Sequence, residues 1–430
     1  RMRRGVDYEK VWIQSQYPQA VQVEPAFGIQ ALKVTLELML NGEDAIASPQ
    51  LWALGDETYG RGDLIVRDNS RPSDLGPYHY KVKEIKLSSR LQDYHSLQAA
   101  LYNRMLGKIQ GYAPPIAEVI LNGKKAKVNF REIEPDLDKN LKLWRAIRDN
   151  AFQPEPSKPD DTQQPWRVYA NKVLAQRRDL TLIADVGRST REKLRRKLGV
   201  QNIEDLFPLA IKDLRRGLSD GAAEDLFYHV QAFKLNKPIR RPDRALKIPG
   251  AKRNLYFDFE TSDEVHSTEP PHVYLIGLWD KEQDQFIRFL ARGHQEEEKI
   301  FKEFLDYVGN PRDAVLFHWT DFEIGQMKVV MRKYPAIAER IEALIQSCVD
   351  LKEAIKGKVY FPTPTYSVKK IGPCLGFNWR QKDVGAFESM VLYWDWLKNN
   401  DPAAIQKVLD YNEDDCRVML YIDEKLSQDG

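Results

Sequence analysis

The stretch that decides the fold is residues 254–261, Asn-Leu-Tyr-Phe-Asp-Phe-Glu-Thr, in which apolar residues lead into two acids. A run of this kind predicts a buried strand that presents carboxylates at its end. Because side chains alternate along a strand, Asp258 and Glu260 should point to the same face. Two carboxylates held close together away from water repel each other, and a hard cation such as Mg²⁺ or Mn²⁺ relieves that repulsion. The sequence therefore predicts a metal site here.

A second stretch, Tyr-Asn-Glu-Asp-Asp-Cys at 411–416, carries the other half of the expected site. It lies in a helical pattern over 402–426, where Tyr411 and Asp415 at i and i+4 share a face. A carboxylate and a phenol brought against the two strand acids would complete a four-oxygen site of the kind used in metal-dependent phosphodiester cleavage. The tyrosine hydroxyl could then orient or deprotonate an attacking water.

These residues resemble the DEDD exonucleases of the RNase H-like superfamily, in their tyrosine form. The resemblance makes Asp258-Phe259-Glu260-Thr261 the first motif and Tyr411-x-x-x-Asp415 the third. The second motif of that superfamily is Asn-x-x-x-aromatic-Asp, and the candidate here is His-Trp-Thr-Asp-Phe-Glu at 318–323. Glu323 falls where the aspartate is expected, and Asp321 is the alternative.

The N-terminal region carries a separate constellation of acids. Asp63 opens an apolar strand, and Glu84 and Lys86 at i and i+2 share a face of the next strand. Two carboxylates can bind a metal while the ammonium positions a water or steadies charge on a phosphate. Gln98 and Tyr102 share a helix face and could touch the backbone of a nucleic acid.

This region resembles the PD-(D/E)xK nucleases of the RecB type, since Gly-x-x-Asp, Glu-x-Lys and Gln-x-x-x-Tyr follow in order over residues 55–105. That family usually carries a histidine or glutamate in an upstream helix, and here Tyr8 stands where the histidine would fall. Glu9 or Asp7 could substitute for it. The departure leaves open whether the site cuts, and the alternative is a solvated cross-strand pair of Glu84 with Lys86.

Between the two acidic regions lies a basic stretch, 177–197, with eight Arg or Lys against three Asp or Glu. It resembles a helix-hairpin-helix element, in which Gly187 would permit a tight turn whose amides meet a phosphate. The resemblance implies that Arg188 and Arg191 lie beside that phosphate. The alternative is a structural helical spacer with a solvated charged face.

Composition sets outer bounds on the protein. The 430 residues are 42% hydrophobic and 30% charged, with a net charge of +2, and neither a membrane-length apolar run nor a secretory signal is evident. The three cysteines form neither a disulfide framework nor a CxxC pair, which favours a reducing cytoplasm. The first residue is Arg1 rather than methionine, which leaves open that native sequence precedes it.

We therefore predict an α/β multidomain chain. Strand patterns in the last domain are expected at 254–260, 273–279, 285–290 and 314–319. The arrangement resembles a bacterial family of RecB-like nucleases that joins three such parts. The predicted segments are a RecB-like PD-(D/E)xK α/β domain at 1–152, a Pro-rich linker at 153–168, a small all-α helix-hairpin-helix segment at 169–237, a linker at 238–252 and an RNase H-like α/β domain at 253–430.

The function predicted on this basis is a metal-dependent nuclease, specifically a 3′–5′ exonuclease on single-stranded DNA, with the RecB-like domain adding strand binding or a second cut. The alternatives are a non-catalytic DNA-binding scaffold with decayed nuclease folds and an RNA-processing exonuclease. The expected partner is nucleic acid, DNA rather than RNA, with no membrane; no residue identifies a protein partner. The predicted Mg²⁺ or Mn²⁺ ligands are Asp258, Glu260, Asp415, Asp63 and Glu84, and the further catalytic residues are Glu323, Tyr411 and Lys86.

Overall fold

The computed structural model describes residues 2–24, 27–88, 90–122, 124–162, 165–262 and 270–428, with the backbone alone for residues 2–7. The chain is a mixed α/β protein of two compact units, Arg1–Pro154 and Glu155–Gly430. Among the described residues, no helix combines the length and the apolar character needed to cross a bilayer.

The first unit is built on a mixed six-stranded sheet of order β1-β2-β5-β6-β7-β8. Only the β1–β2 and β6–β7 pairs in it are parallel. A separate pair, β3–β4, is antiparallel. The elements are α1 Met2–Gln16, β1 Val21–Gln22, α2 Ile29–Leu40, β2 Ala45–Ala47, β3 Gln50–Ala53, β4 Thr58–Arg61, β5 Leu64–Asp68, β6 His79–Ile85, α3 Asp93–Gln110, β7 Ile116–Leu121, β8 Lys124–Asn129 and α4 Phe130–Arg148.

The register of the central strands brings the N-terminal acids together. Leu64 pairs with Lys83 across β5 and β6, so Asp63, just before β5, lies beside Glu84. Strand β6 is buried along most of its length, and apolar residues such as Val82 pack against α3. The packing of β6 on α3 therefore fixes the positions of Asp63 and Glu84 relative to each other.

The second unit begins with helices and ends in an α/β domain. Its main sheet has the order β12-β11-β10-β13-β14, with β10 at the centre, antiparallel to β11 and parallel to β13. The elements are α5 Arg167–Gln176, α6 Arg188–Leu198, α7 Ile211–Leu214, α8 Asp220–Leu235, β9 Ile239–Arg240, β10 Arg253–Thr261, β11 Val273–Asp280, β12 Gln285–Leu290, α9 Glu297–Val308, β13 Ala314–His318, α10 Phe322–Lys333, α11 Ala338–Ile345, β14 Cys348–Asp350, α12 Leu351–Ile355, β15 Val359–Tyr360, α13 Val368–Leu375, α14 Ala386–Asn399 and α15 Pro402–Gln428.

Alternation along β10 separates the core from the acids. Leu255, Phe257 and Phe259 pack into a cluster that includes residues of α9, α10 and α11. Tyr256 faces the other way, into a cluster shared with α13 and α15. Because side chains alternate, the two acids of the strand lie on this second face. The four predicted strands agree with the observed ones to within a residue at each end.

The helical segment before the α/β domain has a core of its own. Leu180, Leu194 and Leu226 belong to one buried apolar cluster that runs through the segment. The short strand β9 then pairs with β15, which ties the exit of this segment to the α/β domain.

Candidate active site

The structure brings three acids from distant stretches together. Asp258 and Glu260 come from β10, Asp415 comes from α15, and one carboxylate oxygen of each lies within 4.8 Å of the others. Strand β10 is hydrogen-bonded on both sides, and α15 packs against both β10 and β11. The two elements that carry the acids are therefore fixed with respect to each other.

Two polar side chains hold the acids in position. Asn412 donates from Nδ2 to Asp258 Oδ2 at 2.9 Å, and Trp379 donates from Nε1 to Asp415 Oδ1 at 2.7 Å. Asn412 fits only because residue 277 of β11 is glycine: a Cβ there would lie 1.7 Å from Asn412 Oδ1. The sequence contained Asn412 within the 411–416 motif but gave no sign of its role.

The acids perturb one another strongly. Burial, and then Asp415 and Glu260, raise the pKa of Asp258 well above its usual value. Burial and Asp415 raise the pKa of Glu260 to about 8, and burial raises the pKa of Asp415 as well. Three carboxyls that resist ionisation together are a donor set suited to a hard divalent cation, so the residues present fit a metal of the Mg²⁺ or Mn²⁺ type.

Glu323, the second-motif candidate, lies next to this cluster but outside the three-acid group. It sits in the first turn of α10, is 3% exposed, and raises the pKa of Asp258 after the larger contributions above. Its Oε2 lies 3.7 Å from His318 Nδ1 and has no hydrogen-bond partner among the described residues. Asp321 is exposed. The structure thus favours Glu323 over Asp321 as the acid of this motif.

Lys369 is a cation at the site that the sequence motifs did not indicate. Its Nζ hydrogen-bonds the hydroxyl of Tyr411 and lies 4.1 Å from the centre of that ring. The same Nζ is 4.0 Å from Asp415 Oδ2. It comes from α13, 42 positions before Tyr411 in the chain, so only the tertiary fold reveals it.

Tyr411 is held as a neutral phenol. Burial and the three neighbouring acids raise its pKa far above the usual value. A neutral hydroxyl at this position can orient a water by hydrogen bonding. The ring is 3% exposed, so its position is fixed by packing.

The N-terminal acids form a second, separate group. Lys86 Nζ lies 2.7 Å from Glu84 Oε2 and 3.3 Å from Asp63 Oδ2. Burial and Asp63 raise the pKa of Glu84 to about 8. Burial lowers the pKa of Lys86, but the two carboxylates outweigh it and leave that pKa raised. Since Glu84 is fully buried, the alternative of a solvated surface pair is wrong.

Glu9 is a further acid that lies close to this group. Burial and then Asp63 raise the pKa of Glu9 to about 7, and Glu9 and Asp63 line one cleft of about 860 Å³. Tyr8, where the related nucleases have histidine, packs against an apolar cluster instead. The side chain of Asp7 lies outside the described residues. The structure therefore favours Glu9 as the substitute.

Gln98 and Tyr102 lie on α3, and Gln98 Nε2 donates to the Tyr102 hydroxyl at 3.3 Å. Tyr102 is 9% exposed and lines the same cleft as Glu9 and Asp63. Glycine at position 60 makes room for it, since a Cβ there would be 2.6 Å from Tyr102 Cε1. Tyr102 therefore faces the second acidic group, and Gln98 is attached to it through this hydrogen bond.

The expectation that Arg191 meets a phosphate is wrong, whereas the expectation for Gly187 stays a prediction. Gly187 precedes α6 with an extended backbone, and the left-handed residue of this turn is Asp185, with φ 63°. Arg191 is 1% exposed and pairs with Asp179 at 3.2 Å, so it is not available to a phosphate. The buried Asp179 requires a positive partner, and Arg191 and Arg195 of α6 both pair with it, each at 3.2 Å. Arg188 is exposed and pairs with Glu192.

Gly187 nevertheless borders a groove. This groove, of about 590 Å³, has walls from both the helical segment and the α/β domain. The wall from the α/β domain includes Trp319 and Thr320, which belong to the second-motif stretch. Lys352 and Lys356 also line the groove. A groove with several lysines in its lining suits a phosphate backbone.

Comparisons with known proteins identify one part of the chain. Residues 255–427 match the family model RNase_H_2, described as RNase_H superfamily. A solved structure that matches is the family B DNA polymerase from the hyperthermophilic archaeon Pyrobaculum calidifontis, at 17% identity and TM-score 0.29, over 53% of this chain and 34% of that one. This chain thus spans about a third of that polymerase, and the likeness carries no argument about function.

No curated protein matches the chain. The predicted RNase H-like domain is confirmed, whereas the RecB-like and helix-hairpin-helix resemblances stay predictions. The C-terminal part of this mixed α/β chain is an RNase H-like domain.

Proposed function

We propose that this chain is a metal-dependent nuclease that hydrolyses phosphodiester bonds of nucleic acid at Asp258, Glu260 and Asp415. The observation that carries the proposal is the meeting of these three buried acids on the central strand of an RNase H-like domain. A bound Mg²⁺ or Mn²⁺ would neutralise the acids, polarise the phosphate and lower the pKa of a water. Nucleases of this fold generally use divalent metals.

The surrounding side chains have distinct roles in this proposal. Asp258, Glu260 and Asp415 hold the metal. Glu323 Oε2, which no hydrogen bond among the described residues reaches, accepts from a water of the same site. Tyr411, a neutral phenol, orients the attacking water by hydrogen bonding. Lys369 places a positive charge where negative charge develops on the phosphate.

The specific activity we propose is 3′–5′ removal of nucleotides from single-stranded DNA. Support comes from the order of the three motifs, which resembles the tyrosine-type DEDD exonucleases. RNA is the alternative substrate, because the same chemistry serves both polymers. Competition between labelled DNA and RNA strands of one sequence separates the two, with DNA expected to be degraded first.

For the N-terminal unit we propose a RecB-like domain that binds the strand or makes a second cut. Asp63 and Glu84 hold a metal there, and Lys86 faces the phosphate. Glu9 supplies the carboxylate in place of the histidine that related nucleases carry at the position of Tyr8. The five predicted segments remain the proposed domain division, with the helical part as a nucleic-acid-binding element through Gly187 and Arg188.

The test is cleavage of end-labelled oligonucleotides with Mg²⁺, Mn²⁺ or EDTA. Wild-type protein should shorten the strand only with metal, and Asp258→Asn should abolish the stepwise ladder. Glu84→Gln, assayed separately, should spare that ladder and remove any internal cut. No metal-dependent product from the wild type would favour the alternative of a DNA-binding scaffold, which the departures at Tyr8 and Glu323 suggest.

A further inference from the structure

A small cleft opens directly beside the acidic cluster. It has a volume of about 280 Å³, and Lys369, Trp379 and residues of the connector between α13 and α14 line it. Lys369 and Trp379 both contact Asp415, from Nζ to Oδ2 at 4.0 Å and from Nε1 to Oδ1 at 2.7 Å. A group in this cleft would therefore lie next to a phosphate held at the acids.

The cleft has a rigid aromatic wall. The indole of Trp379 is fixed by its hydrogen bond to Asp415 and by close packing on Gly372, where a Cβ would lie 3.0 Å from Trp379 Cη2. Phe377 meets the indole edge to face at 5.0 Å between ring centres. Both rings are only partly buried. Partly exposed aromatic surfaces of this kind are stacking platforms for bases.

The rim of the cleft is polar and basic. Asn378 donates to the carbonyl of Gly376 at 3.3 Å, and Gln381 donates to Asp410 Oδ2 at 3.2 Å. In the hydrogen bonds among the described residues, neither amide oxygen accepts, so both remain acceptors for a ligand. Lys382 is exposed and forms no ion pair within the described part of the chain.

We propose that this cleft holds the base of the terminal nucleotide whose phosphate lies at the acids, an inference that rests on the proposed nuclease function. The base stacks on Trp379, its edge donates to Asn378 and Gln381, and Lys382 meets the neighbouring phosphate. The volume lies just below the roughly 300 Å³ at which pockets for drug-sized ligands begin. A volume of this size suits a single base rather than a larger ligand.

Two variants of one residue separate stacking from the hydrogen bond to Asp415. Trp379→Phe and Trp379→Leu both remove that hydrogen bond, but only the first keeps an aromatic face. The measurement is the ratio of cleavage rates for an oligonucleotide with a normal terminal nucleotide and one with an abasic terminus. We expect the wild type and Trp379→Phe to prefer the base roughly tenfold, and Trp379→Leu to lose the preference.

The proposal is overturned if Trp379→Leu keeps the wild-type ratio, or if Trp379→Phe loses it equally. Lys398→Ala, in the last turn of α14, is the control and should behave as the wild type does.

A binding measurement covers the case in which the wild type cleaves nothing and the nuclease proposal itself fails. Equilibrium dialysis of deoxyadenosine 5′-monophosphate against deoxyribose 5-phosphate should still show roughly tenfold tighter binding of the nucleotide, and equal or absent binding overturns the base site.

Discussion

At the scale of single residues, the site is defined by carboxyl groups that are held where they ionise reluctantly. Asp258, Glu260 and Asp415 all have raised pKa values, and burial is the first cause for each. Such groups are retained at a cost to stability, which is a frequent mark of a functional site. Lys369 offsets part of the repulsion, and a divalent ion would offset more.

This arrangement predicts how stability depends on pH without metal. The pKa of Glu260 is about 8 in the folded protein against an ordinary 4.5, so between these values the folded state binds more protons than the unfolded state. The free energy of unfolding must therefore fall as pH rises from about 4.5 to about 8. We expect Glu260→Gln to lessen this fall by on the order of 1 kcal/mol or more.

Thermal unfolding in EDTA at pH 5, 6, 7 and 8 makes the comparison for the wild type and Glu260→Gln. Added Mg²⁺ should raise the wild-type melting temperature more at pH 8 than at pH 5, because metal competes with protons for the same oxygens. Parallel curves for the two proteins would show that Glu260 ionises normally.

At the scale of elements, the geometry of the site depends on the close approach of α15 to β11. Gly277→Ala would place a methyl 1.7 Å from Asn412 Oδ1 and so displace Asn412 from Asp258. We expect a loss of about 1–3 kcal/mol in the free energy of unfolding, together with weaker cleavage. Urea unfolding and the oligonucleotide assay measure the two effects.

Gly325→Ala is the matched control for that substitution. Gly325 lies inside α10, and a Cβ there would meet nothing within 4 Å. Alanine is the better helix former, so this variant should gain roughly 0.5–1 kcal/mol. Equal changes in the unfolding free energy of Gly277→Ala and Gly325→Ala would show that contact with Asn412 does not restrict residue 277 to glycine.

The helix α6 allows a second prediction at this scale, because two of its arginines lie in opposite environments. Arg191→Met removes one of the two arginines that pair with the buried Asp179, leaves Arg195 as the other, and should cost about 1–3 kcal/mol of unfolding free energy. Arg188→Met is on the exposed face and should leave stability within about 0.5 kcal/mol. Urea unfolding of the two variants gives both free energies. Equal stabilities would contradict a stabilising ion pair between Arg191 and Asp179.

How far the sequence predicted these elements depends on whether the signal was local. The strands of the RNase H-like domain were predicted to within a residue because their alternation and length are properties of short stretches. Asp258, Glu260 and Asp415 could be predicted to meet because their motifs are specific. Arg191 was misjudged because a count of basic residues does not show which of them face a core.

Lys369, Trp379 and Gly277 could not have been found in this way. Each acts through a contact with a residue more than thirty positions away: Lys369 with Tyr411, Trp379 with Asp415 and Gly277 with Asn412. No pattern within a short window encodes such a contact. Only the packing of α13, α15 and β11 around β10 brings them to the acids.

At the scale of the whole molecule, the chain holds two acidic groups, one in each compact unit. In the second unit, the helical segment and the RNase H-like domain share the groove that Gly187 and Lys356 border. The helical segment thus forms one wall of a groove whose other wall is the RNase H-like domain.

The groove predicts a salt-dependent effect on strand binding. Lys356→Glu, in the cleavage-silent background Asp258→Asn, should weaken binding of a single-stranded oligonucleotide and lower the slope of log affinity against log salt by roughly 1. Lys398→Glu in the same background makes an equal charge change in the last turn of α14 and should leave the slope nearly unchanged. Fluorescence anisotropy at several salt concentrations gives both slopes. Identical slopes for the two variants would show that the strand does not bind in this groove.

The most direct measurement is a crystal structure of the full chain grown with Mn²⁺, with anomalous scattering recorded to locate the ion. We predict an anomalous peak within about 2.0–2.6 Å of oxygens from Asp258, Glu260 and Asp415 together, and its loss in Asp258→Asn. A map without Mn²⁺ at these three carboxylates, or with the ion unchanged in the variant, would contradict the proposed metal centre.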